Sequence, residues 1–382
     1  MGIRQLNKII NLYSPSAIKE ISIDDIIGSK IAIDSSIFIY KYRHVDRNSE
    51  NSHLNGFLYK LCFYLKKGIL PIFIFDGYPP EAKKQTLIDR GEKKDKIKQK
   101  INNLEEIIKS KLFTEQLPNE LSINIEIRKL KNQITNVTKI HRQECKYFLK
   151  LLGIPIIESE GEAEQTCAIL QKKGIVDYTF TEDTDSLTFG APKVLKSAKK
   201  VEKIIITDLN QILMDFKFNM DEFIDFCILC GCDYCPTINR IGPKTAFELI
   251  KKYRNIETVL DNIKNKYKIP DNFDYKTARM LFNKDTVNDK KYEFKINNID
   301  QNNLYKFIID EKKLDTNYYS LINKKVNKAK LEYNKIKKQH QQQNTILNFF
   351  NTSQNPKIVE NPLPKEFLNF DHQLTNQTNP IQ

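Results

Sequence analysis

The stretch Ile72-Phe73-Ile74-Phe75-Asp76 sets four apolar residues directly before an acid. Two other stretches do the same: Ile31-Ala32-Ile33 before Asp34, and Val176-Asp177-Tyr178-Thr179-Phe180 shortly before Asp183 and Asp185. In an open α/β sheet, ligands bind beyond the carboxyl ends of the strands, so acids from separate stretches can converge there on one spot. Converging carboxylates point to a divalent cation.

Outward from these runs, strand, helix and strand succeed one another up to Phe75, and strand and helix return from about Leu151 to Phe189. Such alternation predicts an α/β fold with a mostly parallel central sheet flanked by helices. Between Glu81 and about Ile140 the chain is rich in Lys and Glu without a convincing strand, which reads as helices inserted into the sheet domain. From Asp221 the pattern is helical, over 221–229, then 243–253, then onward to about Lys338. The tail that follows holds Gln341-Gln342-Gln343 and much Asn, Gln and Pro, a composition expected to be disordered, with one apolar island at 346–350.

The chain's 382 residues, 40% hydrophobic, support a real core. Lys and Arg number 61 against 48 Asp and Glu, a formal charge of +13. Several acids are committed to the cluster, so the remaining surface is more basic still and suits a polyanion such as nucleic acid. A solvated Lys-rich surface in a Lys-, Asn- and Ile-rich chain is the plainer alternative. No apolar run reaches the roughly 18 residues of a membrane span. Met1-Gly2-Ile3-Arg4-Gln5-Leu6 has no signal-peptide core, and Leu6 stands where a myristoylation signal wants Ser or Thr. The expectation is a soluble intracellular protein with no membrane partner, its seven cysteines reduced.

Two further acids, Glu162 and Glu164, open a helix with apolar Cys167, Ala168 and Leu170. Ser159 followed by Glu162 resembles a capping box, which starts the helix near Gly161 and leaves Glu162 as either cap or ligand. Residues two apart on a regular helix do not share a face, so both acids reach one site only if the helix start is irregular. Asp233, after the turn residue Gly231, completes seven candidates: Asp34, Asp76, Glu162, Glu164, Asp183, Asp185 and Asp233. Seven negative charges against two divalent cations leave roughly −3, to be met by water or positive neighbours. Oxygen-only ligation without His favours Mg²⁺ or Mn²⁺ over zinc. Two such ions about 4 Å apart can activate a water and stabilise the leaving oxygen of a phosphodiester. Single acids at strand ends also serve as turn formers or caps, and spacing alone does not separate a nuclease from a metal-dependent phosphatase.

Six ordered motifs narrow this. Met1-Gly2-Ile3, Ile33-Asp34-Ser35-Ser36, Phe75-Asp76-Gly77 with Pro79-Pro80, Gly161-Glu162-Ala163-Glu164, Thr181 through Gly190, and Gly231-Cys232-Asp233-Tyr234 together resemble the flap endonuclease 1 family of XPG/Rad2-type structure-specific 5′ nucleases. The resemblance spans roughly residues 1 to 350. It implies a PIN-like 5′ nuclease core with an inserted helical arch and a C-terminal helical DNA-binding region. The divisions expected are 1–105 and 141–220 as nuclease regions, 81–140 as arch or cap, 221–338 as a helical region with a helix-two-turns-helix, and 339–382 as tail. It also implies two Mg²⁺ ions, cleavage of 5′-flap and nicked duplex DNA, and 5′-3′ exonuclease activity. One ion falls to Asp34, Asp76, Glu162 and Glu164, and the other to Asp183, Asp185 and Asp233.

Lys83 and Arg90, seven residues apart on the helix expected after Pro80, point the same way. They are similar to the arch lysine and arginine that steer the scissile phosphate, though solvated helix charges are the commoner reading. Tyr40 resembles the family's base-stacking residue. The resemblance puts Arg47 at the strand junction, before a short loop at 48–53, and Gly2, Glu162, Gly231 and Asp233 against the DNA. Asn136 stands where a Lys is expected. At Asn239-Arg240-Ile241-Gly242-Pro243-Lys244, a Gly-Pro helix start offers free N–H groups to a phosphate. There the resemblance implies that Arg240, Gly242 and Lys244 grip duplex DNA beside K⁺.

Cys227, Cys230, Cys232 and Cys235 have the spacing of a zinc or iron–sulfur site, but small core residues within an apolar helix are the better reading of the first two. Gln343, Ile346, Phe349 and Phe350 match the motif by which replication proteins bind the sliding clamp (PCNA), with docking onto the chain's own body as the alternative. The reading is thus a monomeric nuclease, up to three per clamp trimer, of replication and repair. Its expected location is the nucleus, with nucleolus, mitochondrion and a viral or organellar setting as alternatives. A related exonuclease or junction nuclease, or a non-catalytic DNA and clamp adaptor, are the rivals.

Overall fold

Strand β3 (Leu70–Phe75) is buried at every position, as a strand covered on both faces must be. Its Leu70 N–H donates to Ser29 O (2.9 Å) on one side and its Phe73 N–H to Pro155 O (3.3 Å) on the other. Pro71 therefore presents its missing donor to the side of β4 (Ile156–Glu158), whose pairing starts only at Phe73, and no ladder bond is lost. With β1 (Ile18–Ser22), β2 (Lys30–Asp34), β5 (Tyr178–Phe180), β6 (Lys193–Ser197) and β7 (Lys203–Asp208), these strands form one sheet in the order β1-β7-β6-β5-β2-β3-β4. Pairing is parallel from β6 to β4, and β7 and β1 extend it antiparallel. The mostly parallel sheet matches the expectation, whereas the antiparallel edge was not anticipated.

This computed structural model describes residues 2–46, 49–111, 120–134, 137–285, 287 and 292–353, without the side chains of 110, 111, 120 and 343–353. Two compact units emerge, Met1–Lys337 and Lys338–Gln382. In the first, a core around Phe38, Phe57, Phe73, Phe75 and Phe148 fills the space between sheet and helices. A second core joins Phe216, Phe223, Phe226 and Phe247 of the helical region to the N-terminal helix Leu6–Tyr13, whose Tyr13 stacks on Phe247 at 4.3 Å. The helices Lys84–Lys111 and Glu120–Gln133 stand between β3 and β4 in sequence and share a small core of their own, Ile101, Ile127 and Leu130. In the second unit, the described residues 339–353 have helical backbone, where an unstructured tail was expected.

The helical region is tied by Arg279, which donates to buried Asp225 (2.8 and 2.8 Å) and to Glu257 (2.9 and 3.0 Å). Arg279→Ala leaves the Asp225 carboxylate buried without its partner. We expect a loss on the order of 3 kcal/mol in urea unfolding, and an unchanged midpoint would refute that role.

Candidate active site

Each acid owes its position to an element end. Asp34 closes β2 and caps helix Ser35–Val45, accepting from Ser36 N–H (3.0 Å) and from Thr181 Oγ1 (3.2 Å). Asp76 follows β3 and accepts from the Ser36 hydroxyl and from Ala163 N–H (2.9 Å). Beyond β5, Asp183 Oδ1 accepts from Asp185 N–H (3.2 Å), so the two acids brace one turn. Ligand oxygens of Glu164, Asp183 and Asp185 all lie within 4.8 Å of one another. Glu164 thus stands with the two aspartates assigned to the other ion, at the border between the expected ligand groups.

Helix Ala163–Lys172 resolves the spacing of Glu162 and Glu164. Glu162 is the N-cap residue with extended backbone (φ −83°, ψ 140°), and Glu164 sits in the first turn, so the two-residue spacing is not a helical one. The capping box is absent: Ser159 Oγ donates to Glu162 O (3.1 Å) and pairs with Thr166 Oγ1 (2.6 Å), while the helix begins at Ala163, near Gly161 as expected. The Glu162 carboxylate is left to accept from Lys83 Nζ and from the Tyr234 hydroxyl.

Lys83 lies in the 3-10 turn Glu81–Lys83, one residue before the helix on which it was expected. It nonetheless converges with Arg90: Lys83 Nζ is 3.2 Å from Asp233, and Arg90 Nη2 donates to both Asp233 oxygens at 2.7 and 2.9 Å. Thr86 Oγ1 adds a bond to the Asp233 carbonyl (2.9 Å). Ser36, Thr181, Thr86 and Tyr234 were missed as site residues, although Ser36, Thr181 and Tyr234 lie inside the quoted motifs.

Burial and the neighbouring Asp183 hold Glu164 and Asp185 well above the usual carboxylate range. Burial and Asp76 push Asp34 up to about 8. Burial alone would lower Lys83, but Glu162, Glu164 and Asp233 outweigh it and raise the ammonium above its ordinary value. An acid that keeps its proton in the folded state while the unfolded chain has lost it makes stability fall as pH rises between the two pKa values. For Asp34 that window runs from 3.8 to about 8. Melting temperature of the chelator-treated protein should therefore decline across it. A saturating divalent cation, which binds the deprotonated acids, should flatten the slope; equal slopes with and without metal would contradict this.

Gly2 (φ +82°) and Gly231 (φ +111°) hold backbone that L side chains rarely adopt. A Cβ on Gly2 would overlap Asp183 and Thr184, and one on Gly231 would press on Thr237 and Arg4. The proximity of Gly2 to Asp183 is thus built on close backbone approach. Tyr40 is exposed on helix Ser35–Val45. Arg240 and Lys244 are exposed around Gly242, the N-cap of helix Pro243–Tyr253, and a Cβ on Gly242 would meet nothing within 4 Å. Arg47 and Asn136, and the side chains of Gln343, Ile346, Phe349 and Phe350, lie outside the described residues.

Residues 1–97 match the family model of the XPG N-terminal domain and residues 153–233 that of the XPG I-region. Flap endonuclease 1 of Entamoeba histolytica is 38% identical over 329 residues, covering 82% of this chain and 84% of the relative. Flap endonuclease 1 of Glycine max is 34% identical, covering 94% and 93%. Among solved structures, flap endonuclease-1 from Methanococcus jannaschii is 27% identical, with a TM-score of 0.60 over 83% of this chain and 96% of that one. The catalytic core of Rad2 in complex with DNA substrate shares the fold, with a TM-score of 0.64 at 21% identity over 85% of this chain and 100% of that one.

Proposed function

The chain belongs to the flap endonuclease 1 family, and on that premise we propose how its acid cluster cuts DNA. It is a structure-specific 5′ flap endonuclease, a hydrolase of DNA phosphodiesters, of the kind that serves replication and repair. The observation that carries the chemistry is Asp185: its Oδ1 is buried without a hydrogen-bond donor, in a cluster with Glu164 and Asp183. An acceptor left so, among oxygens only, fits a hard divalent cation.

In this reading Glu164, Asp183 and Asp185, with Asp34, Asp76, Glu162 and Asp233 around them, hold two Mg²⁺ ions, and Mn²⁺ substitutes. When bound, such ions supply Lewis acidity and a water acidic enough to act as nucleophile. Lys83 and Arg90 hold the scissile phosphate beside Asp233 and balance its developing charge. Tyr40 stacks on a base, and Arg47 contacts the strand at the junction. Gly2 and Gly231 let backbone approach the strand. The open space at Gly242, flanked by Arg240 and Lys244, receives a duplex phosphate at the helix start, with K⁺ in the same turn. Helices of 81–140 form the arch, 1–105 and 141–220 the nuclease core, and 221–338 the duplex-binding region.

The same acids serve 5′-3′ exonuclease cleavage, Okazaki-fragment maturation and long-patch base excision repair. Gln343, Ile346, Phe349 and Phe350 engage the sliding clamp (PCNA), with up to three monomers per trimer. The nucleus is the setting that suits this work. No helix of the described residues is long and apolar enough to cross a membrane. Labelled single-flap, double-flap, nicked and four-way DNA, incubated with the protein and Mg²⁺, test the reading. Flap cleavage at the junction is expected, and cleavage of the four-way substrate alone, or of none, would defeat it.

A further inference from the structure

We propose that Cys232 and Cys235 form an oxidisable dithiol whose closure pulls Asp233 away from the metal centre. The inference rests on the assignment of Asp233 to that centre. Among the chain's cysteines, Cys62, Cys145, Cys167, Cys227 and Cys230 are buried, whereas Cys232 and Cys235 are partly exposed. Their Sγ atoms lie 3.9 Å apart. A disulfide needs about 2.05 Å, so the sulfurs must close by roughly 2 Å. Cys227 and Cys230 have the same sequence spacing but are locked inside helix Met220–Cys230, while Cys232 and Cys235 follow its end in irregular backbone.

That short loop can absorb the motion only at some cost to the site. Its start is fixed where Gly231 O accepts from Arg4 N–H (3.1 Å). The two residues between the cysteines are Asp233, held by Lys83 and Arg90, and Tyr234, whose hydroxyl donates to Glu162. Drawing the sulfurs together therefore strains two carboxylates of the centre at once. A displacement near 1 Å in a reacting constellation can cost on the order of 10²-fold in rate.

The co-reactant is hydrogen peroxide. One thiol, deprotonated, attacks a peroxide oxygen; the O–O bond breaks, hydroxide leaves and takes up the proton as water, and the sulfur becomes a sulfenic acid. The second thiol attacks that sulfur; the S–S bond forms, the S–O bond breaks and a second water leaves. Two electrons pass from the sulfur pair to one peroxide, and the protein loses two hydrogens.

The full chain is treated with stoichiometric hydrogen peroxide and read three ways: by intact mass and peptide mapping, by Mn²⁺ affinity in electron paramagnetic resonance, and by flap cleavage. A Cys232–Cys235 link, Mn²⁺ affinity and cleavage each lowered at least about tenfold, and recovery in dithiothreitol are expected. Cys232→Ser and Cys235→Ser should each resist. Absence of the link, a link that leaves Mn²⁺ affinity unchanged, or equal loss in both variants overturns the proposal. Reduced protein that binds Mn²⁺ yet cuts no flap counts against the nuclease reading alone, because the link and the affinity are measured without it.

Discussion

Asp185→Asn is expected to lower the rate of flap cleavage by at least about 10³-fold and, in the metal-free protein, to raise the melting temperature by a few degrees. Both follow from one fact. The Asp185 carboxyl is buried beside Asp183 and Asp233, with one oxygen that finds no donor. Its ionised form opposes folding through desolvation and like-charge repulsion, and a cation is what would repay it. Asparagine keeps the volume and can donate to the neighbouring acids, but it carries no charge for a metal. Cleavage kinetics with Mg²⁺, alongside thermal melts in chelator, test the pair of effects. A variant that loses both activity and stability would show that Asp185 is a structural acid.

Lys83→Ala and Arg90→Ala should part company. Either change is expected to slow cleavage about 10²-fold, the usual cost of one charge-stabilising donor. Lys83, however, is buried against Glu162 and Asp233, so its removal leaves carboxylates unbalanced and should cost roughly 3 kcal/mol of stability. Arg90 is 41% exposed on its helix, and its loss should cost less, no more than about 1 kcal/mol. Urea unfolding of both variants decides the matter; equal destabilisation would place the two cations in the same role.

The reach of the sequence is clearest at Asp34 and Asp76. A fully apolar run followed by an acid has few readings, and parallel pairing of β2 with β3 carries both acids to one sheet end. β1 and β7 were harder to read. Ile18–Ser22 is half exposed at an edge, and its pairing with Lys203–Asp208 joins segments far apart in sequence, which no local pattern encodes. Glu162 was ambiguous for a related reason. Ser159 and Glu162 have capping-box spacing, and only the turn in which Ser159 Oγ engages the Glu162 carbonyl and Thr166 removes that reading. Tyr234 and Thr86 were missed because their hydroxyls matter through partners brought near by folding, Glu162 and Asp233.

Three aliphatic residues, Ile101, Ile127 and Leu130, are the buried seam of the helix pair inserted between β3 and β4. The flanking Lys100–Glu126 and Lys131–Glu105 bridges are exposed and add little. Ile97, Leu104, Ile108, Ile123 and Ile134 pack against the seam only partly buried, so it is small beside the sheet core, and amide hydrogen exchange along these helices is expected to be governed by their own opening instead of by global unfolding. The expectation is that the far half of the pair opens first, while the near end, where Thr86 and Arg90 bond Asp233, stays with the acids.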